Sequence, residues 1–432
     1  MKKLLPIVIS LAFGSLSQSA LAEDLAQIYQ QAKQNDPQLL KAAADKDAAF
    51  EAINSSRSAL LPQINLTAGY DTFHLDAKNN SKNGFNAGIG LTQSLYNRAS
   101  WVGLDISEKQ ARQSDAAYAV QQQGLILRVS EAYFNVLKAK DDLKFVEAEK
   151  AAVGRQLEQV KQRFEVGLSA ITDVHDAQAQ YDSVLANVII KENELANSYE
   201  ALREITGQDY TSIDTLNTKT FAASKLPQSA DFLVKTAQTE NLTLLASRIG
   251  QDIARENISL ADSGHLPTLS FTTGYSYNDT TKAPGMPDEG ALTAGIKMEL
   301  PVYSGGNTTS KVKQAQYGYV AASESLEGEY RTVVKNVRNY YNNINAQIGA
   351  IHAYQQSVIS AKSALEATEA GFDVGTRTIV DVLDSTRRLY QANSQLANAR
   401  YDYILAQLQL KQAVGTLSEQ DIVDINKGLV QN

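Results

Sequence analysis

The chain has 432 residues, with 40 Lys and Arg against 48 Asp and Glu, a formal net charge of −8. That balance argues against a nucleic-acid binder, since phosphate binding needs a basic face. The absence of cysteine excludes disulfide scaffolds, thiolate metal sites and cysteine nucleophiles.

With 43% hydrophobic and 20% charged residues, the composition is that of a folded protein. The stretches 63–226 and 302–432 contain no proline, and runs of that length invite very long helices. At the N-terminus, Lys2 and Lys3 precede a mostly apolar run from Leu4 to Phe13, and Ala20-Leu21-Ala22 supplies a small-x-small pattern. This order predicts an export signal, residues 1–22, removed after Ala22. No later segment approaches the roughly 18 unbroken apolar residues of a membrane-spanning helix. The exported chain is therefore either soluble or spans an outer membrane as strands.

The rest of the chain is written twice. Leu61-Pro62 leading to Gly69-Tyr70 recurs as Leu266-Pro267 leading to Gly274-Tyr275. Phe164-Glu165-Val166-Gly167 recurs as Phe372-Asp373-Val374-Gly375, and Asp173-Val174 as Asp381-Val382. The spacing stays between 205 and 208 positions, so the duplication is nearly free of insertions. Repeats of 23–225 and 231–420 follow, joined near Pro227 and trailed by a tail, 421–432.

Each repeat opens with a helix and continues into two short alternating runs. Ile64, Leu66, Ala68 and Tyr70 are apolar on every second position, as are Phe85, Ala87, Ile89 and Leu91. Leu269, Phe271, Thr273 and Tyr275, then Leu292, Ala294, Ile296, Met298 and Leu300, are their counterparts. Period two predicts strands with one apolar and one polar face. The segments between them, roughly 74–84 and 278–290, have the polar, Gly-rich composition of exposed loops.

A heptad seam follows each strand pair. Leu125, Val129, Ala132, Val136, Ala139, Leu143, Val146, Val153, Leu157, Val160 and Phe164 step by four and three, interrupted only at Lys150. Val333, Val337, Tyr340, Ile344, Ile351, Tyr354, Val358, Ala361, Leu365 and Phe372 repeat the register, broken at Gln347 and Thr368. Such a repeat specifies coiled-coil packing. The arm over 98–165 extends roughly 100 Å at 1.5 Å per residue. Val166-Gly167 and Val374-Gly375 predict the turns where each arm reverses.

Four strands cannot close a barrel, and an open sheet edge in lipid leaves backbone groups unpaired. Either the strands face water as a small sheet or several chains pool them. Three chains supply twelve strands, within the range of outer-membrane barrels.

The duplicated strand–helix pattern resembles the outer-membrane factor (outer membrane efflux protein) family. The resemblance rests on Arg163-Phe164-Glu165-Val166-Gly167-Leu168 with Ala170-Ile171-Thr172-Asp173-Val174. It rests further on Val374-Gly375-Thr376-Arg377-Thr378-Ile379-Val380-Asp381-Val382-Leu383-Asp384, and covers nearly all of the mature chain. It implies an α+β membrane protein: a homotrimeric twelve-stranded β-barrel in outer-membrane lipid, four strands per chain, continuous with a helical coiled-coil tunnel in the periplasm. It also implies a passive exit duct for drugs, detergents and proteins, serving multidrug efflux and type I secretion. The implied partners are a periplasmic adaptor (membrane fusion) protein and an inner-membrane efflux pump or ABC exporter. No cofactor is implied.

Asp381 and Asp384 are three apart and share a helix face. In a trimer they would form stacked carboxylate rings, which attract cations and raise one another's pKa. The same spacing fits two acids placed in a first helical turn by the macrodipole. The resemblance assigns them to a pore selectivity ring. It assigns Thr172, Asp173 and Arg377 to a network that constricts the entrance, with Gln156 and Glu369 as a second set of latch partners. A bidentate Asp–Arg pair between neighbouring helices would fix such a constriction; the alternative is a solvated pair worth at most about 1 kcal/mol. A family member carries tyrosine where this chain has Phe372, so a hydrogen bond through that ring is absent here. Gly167 and Gly375 are turn glycines, and the resemblance adds that the surrounding grooves receive the adaptor.

The four histidines, His74, His175, His265 and His352, show no metal-ligand spacing. The sequence holds no phosphate loop, nucleophile elbow or other catalytic constellation, so an enzyme is disfavoured. The competing function is a soluble periplasmic coiled-coil scaffold or adaptor.

Overall fold

The structure, a computed structural model, describes residues 23–75, 80–279 and 289–430. The export signal expected over 1–22, the tips of both strand-connecting loops and the last two residues of the tail lie outside them, as does the side chain of His74.

Two series of elements follow each other. The first runs α1 (Leu25–Asn35), α2 (Pro37–Ser58), β1 (Gln63–Leu75), β2 (Asn80–Tyr96), α3 (Arg98–Glu165) and α4 (Ile171–Thr206). A two-residue strand, β3 (Thr215–Leu216), precedes the second. That series runs α5 (Ala230–Glu240), α6 (Leu242–Asp262), β4 (Thr268–Asn278), β5 (Glu289–Glu299), α7 (Asn307–Asp373) and α8 (Ile379–Val414). The chain closes with α9 (Glu419–Asn426) and β6 (Leu429–Val430).

Where one opening helix was expected in each repeat, two occur, for a local reason. Asp36 closes α1 and caps α2 by accepting the Leu39 N–H, with Pro37 in the first turn. Asn241 does the same between α5 and α6, accepting from Leu244. An Asp or Asn side chain satisfies amides that a new helix leaves unpaired, and proline at the first position costs no hydrogen bond.

The strands form one antiparallel sheet in the order β1-β2-β4-β5. Register pairs Leu66 with Ile89 and Tyr70 with Phe85, Ile89 with Tyr275, and Tyr275 with Leu292. Every alternating apolar run therefore lies on one face. Thr67, Gly88, Ser276 and, across the next pair, Thr272 and Gly295 line the other. The apolar face is uncovered: Leu66 is 80% exposed, Leu292 77% and Ile296 67%. Among the described residues the outer margins of β1 and β5 pair with no further strand.

The 68-residue α3 and 67-residue α7 are the long arms. Their seams pack as the heptads require: Leu125, Val129, Val136, Val153 and Val160 are buried in α3, and Val333, Val337, Ile344 and Ile351 in α7. α4 returns along α3, α8 along α7, and α3 also packs on α8.

A waist forms where α1, α5, α9 and the β3–β6 pair lie against the middle of this bundle. Its centre holds the fully buried Tyr133 and Phe134 in edge contact at 5.8 Å, with Tyr401 a further 5.8 Å from Phe134. Tyr133 Oη donates to the Asp214 carbonyl at 2.7 Å, and Tyr401 Oη donates to Asp141 Oδ2 at 2.7 Å. Burial raises the pKa of both phenols and of the Asp141 carboxyl. The connection near Pro227 is pinned by Tyr403, whose hydroxyl donates to the Ser224 carbonyl and accepts from its N–H. The tail is structured as far as Val430: Asp421 caps α9 and pairs with Lys411.

Candidate channel entrance

The two hairpin turns lie at the end of the bundle far from the sheet. In each, the last turn of the arm closes on a glycine with φ of +76°, Gly167 in one and Gly375 in the other. Leu168 N–H donates to the Arg163 carbonyl and Thr376 N–H to the Gly371 carbonyl, both at 2.8 Å. A left-handed residue followed by a six-residue return is how a helix is ended with its carbonyls satisfied. The turns present apolar side chains to solvent: Val166 is 70% exposed, Leu168 76% and Val374 75%.

The descending helices start with matching acids. Asp173 Oδ2 accepts from Ser169 Oγ at 2.6 Å and from Ala170 N–H at 3.2 Å. Asp381 Oδ2 accepts from both the N–H and Oγ1 of Thr378 at 3.0 Å, and Thr378 Oγ1 accepts from Asp381 N–H. The Thr378–Asp381 pair is a capping box, whereas at the start of α4 only Asp173 bonds back, since Ala170 at the cap has no side-chain acceptor. The hydrogen bonds from Thr378 hold the Asp381 carboxyl below its usual range, with the field of Arg377 adding to them.

Asp384 faces differently. It is gripped by Arg387 at 2.5 Å and Arg388 at 2.6 Å on its own helix. With Asp176, Gln180 and Asp381 it lines a groove between α4 and α8.

The expected latch residues do not all meet within one chain. Arg377 is exposed and packs over Gly371, its Cγ lying 2.7 Å from where a β-carbon there would stand. Among the described residues it makes no ion pair with Asp173. Thr172 and Glu369 are exposed. Gln156 is buried and donates to Thr386 Oγ1 at 2.9 Å, joining α3 to α8, while its Oε1 has no partner among the described residues. Within one chain Gln156 therefore pairs with Thr386.

Phe372 is held by a contact the sequence did not reveal. The Arg163 guanidinium lies 4.5 Å over the Phe372 ring and donates to the carbonyls of Phe372 at 3.5 Å and Asp373 at 3.3 Å. A cation over an aromatic face is worth about 0.5–1 kcal/mol at an exposed site. It needs no phenolic hydroxyl. Arg163 and Phe372 are too far apart in sequence for any periodicity to reveal the contact.

Beneath the tip, Val153, Leu157, Val160, Ala177, Val184, Ile379, Val382 and Leu383 form a small apolar cluster separate from the waist. Between the two cores sits Glu149, 8% exposed, its pKa raised by burial and opposed only by the field of Arg387. It lines a groove with Asp142, Phe145, Lys191, Arg387 and Tyr390. Among the described residues no three metal-ligating side chains converge, and no helix is long and apolar enough to cross a membrane.

A family described as outer membrane efflux protein matches this chain twice, over residues 28–208 and 233–416. The chain belongs to that family. Outer membrane protein TolC of Vibrio cholerae is 64% identical, covering 99% of both chains. The proteases secretion protein PrtF of Dickeya chrysanthemi is 27% identical over 98% of this chain and 94% of its own. The CmeC outer membrane channel of Campylobacter jejuni superposes with a TM-score of 0.80 over all of this chain and 98% of that one, at 17% identity, which speaks to the fold. As a member of the outer membrane efflux protein family, the chain is an outer-membrane channel protein and not an enzyme, with its helical part in the periplasm.

Proposed function

We propose that three copies of the chain pool their sheets into one twelve-stranded barrel and their hairpins into one tunnel. The protein is an outer-membrane exit duct for efflux and for type I secretion, the business of the relatives it resembles over their full length. The observation that carries the assembly is the sheet. Its four strands leave two unpaired margins and an apolar face exposed. In lipid every backbone group must find a partner, and neighbouring copies supply it. The apolar face then meets lipid and the polar face a water-filled lumen.

In this reading each chain contributes two repeats, 23–225 and 231–420, after an export signal over 1–22 is removed. The hairpin turns form the periplasmic entrance. Asp381 and Asp384 face the pore as rings. Thr172, Asp173 and Arg377 hold neighbouring helices together, with Arg377 reaching a carboxylate of an adjoining hairpin in the assembly. Gln156, Glu369 and Phe372 add to the constriction. The exposed apolar turns around Gly167 and Gly375 dock a periplasmic adaptor, which joins the duct to an inner-membrane pump or ABC exporter.

Imaging the purified protein in detergent tests the assembly: a long threefold tube is expected, and a monomer that stays in solution without detergent defeats it. Fractionation separates the duct from a periplasmic scaffold, because a duct stays with outer membranes through a carbonate wash and a scaffold is released.

A further inference from the structure

Glu23, the residue after the expected export signal, is tied into the waist. It forms a parallel β-bridge with Ile213: its N–H donates to the Ser212 carbonyl and its carbonyl accepts from the Asp214 N–H, both at 3.3 Å. Glu23 Oε2 accepts from Gln31 Nε2 at 3.1 Å. Its neighbour Asp24 caps α1 and accepts from Asn426 Nδ2 at 3.0 Å, so the start of α1 meets the end of α9. Two buried acceptors at this junction have no partner among the described residues, Asp214 Oδ1 and Asn426 Oδ1. Asp214 is only 7% exposed. Glu23, Asp24 and Asp214 bring three carboxylates together. Burial, and then the field of Asp24, pushes the Asp214 carboxyl up, and the field of Lys140, the smallest of the three effects, opposes them.

We propose that this junction is a binding site for the chain's own α-ammonium, created when the export signal is cut after Ala22, and that the waist closes fully only on the processed chain. This rests on the reading that cleavage leaves Glu23 as the first residue. In an uncut chain the Glu23 nitrogen is a neutral amide with one N–H, already spent on Ser212. Hydrolysis adds water across the Ala22–Glu23 peptide bond: the carboxylate leaves with Ala22, and the amine stays on Glu23, protonated below its ordinary pKa of about 7.7–8.0. An ammonium carries three donors. One keeps the Ser212 carbonyl, and two remain for the orphaned oxygens of Asp214 and Asn426, whose side chains flank Glu23 through the bridge and through Asp24. The same group brings a positive charge to three gathered carboxylates. A buried carboxylate without a counter-charge is costly, and an orphaned buried acceptor asks for a partner.

The placement of Asp214 gives the site its reach. Its N–H is fixed on Glu23 and its carbonyl accepts from Tyr133 Oη at 2.7 Å, at the centre of the waist. The ammonium therefore ties together α1, the strand leading into β3, and α9, three segments far apart in sequence. A precursor still joined to its signal lacks that charge. Release from the signal comes first and closure of the waist second, so a chain that has not been processed is kept from pooling its strands with others.

The experiment compares the thermal midpoints of four purified proteins, each with its first residue read by N-terminal sequencing. They are the wild type, a chain with Gly-Ser-Gly inserted between Ala22 and Glu23, Asp214→Asn, and the two changes combined. The insertion keeps every side chain and carries the ammonium roughly 10 Å away. It is expected to lower the midpoint by several degrees. Asp214→Asn should lower the midpoint of the wild type and raise that of the extended chain, where it removes an unpaired carboxylate. Shifts of equal sign and size in both backgrounds overturn the proposal and leave cleavage after Ala22 standing. A second readout needs no variant: reductive methylation of the α-amine at neutral pH should run severalfold slower in the native wild type than in the denatured one. Equal rates overturn the proposal even where the extended chain fails to fold. A wild type that begins at a residue other than Glu23 overturns the cleavage reading, and the proposal with it.

Discussion

The waist and the tip are built from the same helices and held by opposite means. At the waist, the aromatic pair Tyr133 and Phe134 is fully buried, both Tyr133 and Tyr401 find acceptors, and a two-residue strand pairing ties the tail to the middle of the chain. At the tip, a cluster of eight buried residues is overlaid by exposed polar contacts. Those contacts are acid caps at the helix starts and an arginine over a phenylalanine, with one buried glutamine bridge between α3 and α8. This contrast suits the proposed duct, in which the tip is the end that opens: apolar burial then lies where nothing need move, and the tip keeps contacts that can be exchanged at small cost.

The largest effect expected from breaking this contrast is at the waist. Phe134→Ala removes a fully buried ring and should cost about 3–5 kcal/mol. Heat-stable oligomer on gels should be lost, and with it all export. At the tip, Gly167→Trp or Gly375→Trp meets open space, since no atom lies within 4 Å of where a β-carbon would stand at either turn. The replacement must instead hold φ near +76°, a strain of about 1–3 kcal/mol. Export in a drug-susceptibility assay should be abolished while the oligomer survives; loss of the oligomer would give these glycines a purely structural role.

Smaller still are changes to the latch. Asp173→Ala and Arg377→Ser should each raise single-channel conductance, and Arg163→Ala should do so by freeing Phe372, at a stability cost of about 0.5–1 kcal/mol. Unchanged conductance in the first two would remove them from the constriction. The finest comparison lies between the two cores, at Glu149. Burial raises its folded-state pKa, so its neutral form is favoured in the native protein. Stability from this group is complete below the unfolded value, about 4.3, and is lost as pH rises through the folded value. Glu149→Gln should therefore be more stable than wild type at neutral pH, with the gain fading toward pH 4. A constant offset across that range in thermal melts would show that the carboxyl does not titrate as the burial requires.

How much of this was legible in the sequence depends on the length over which a pattern repeats. Strand alternation from Ile64 and the heptads from Leu125 placed the sheet and both arms, because each period is sustained for many residues. The strands β3 and β6 are two residues long and have no period to read. The tail therefore gave no sign of its docking. The break at Asp36-Pro37 carried a clear capping signal that a coarse reading merged into one helix. At the tip, the acids and glycines stood out by motif. Arg163 joins Phe372 from a distant part of the chain. Arg387 and Arg388, three and four positions after Asp384, carried a visible helical spacing whose weight appears only once their guanidiniums are seen on the carboxylate.

The unsatisfied margins of the sheet also decide how damage is inherited. In the proposed trimer, a subunit with a faulty β1 or β5 would still offer one sound margin to a healthy neighbour and be built into the shared ring. The fraction of sound assemblies would then fall as the cube of the healthy fraction, so edge lesions would act as dominant negatives. Lesions at the waist would remove the subunit before it could join, and a second intact gene copy would mask them.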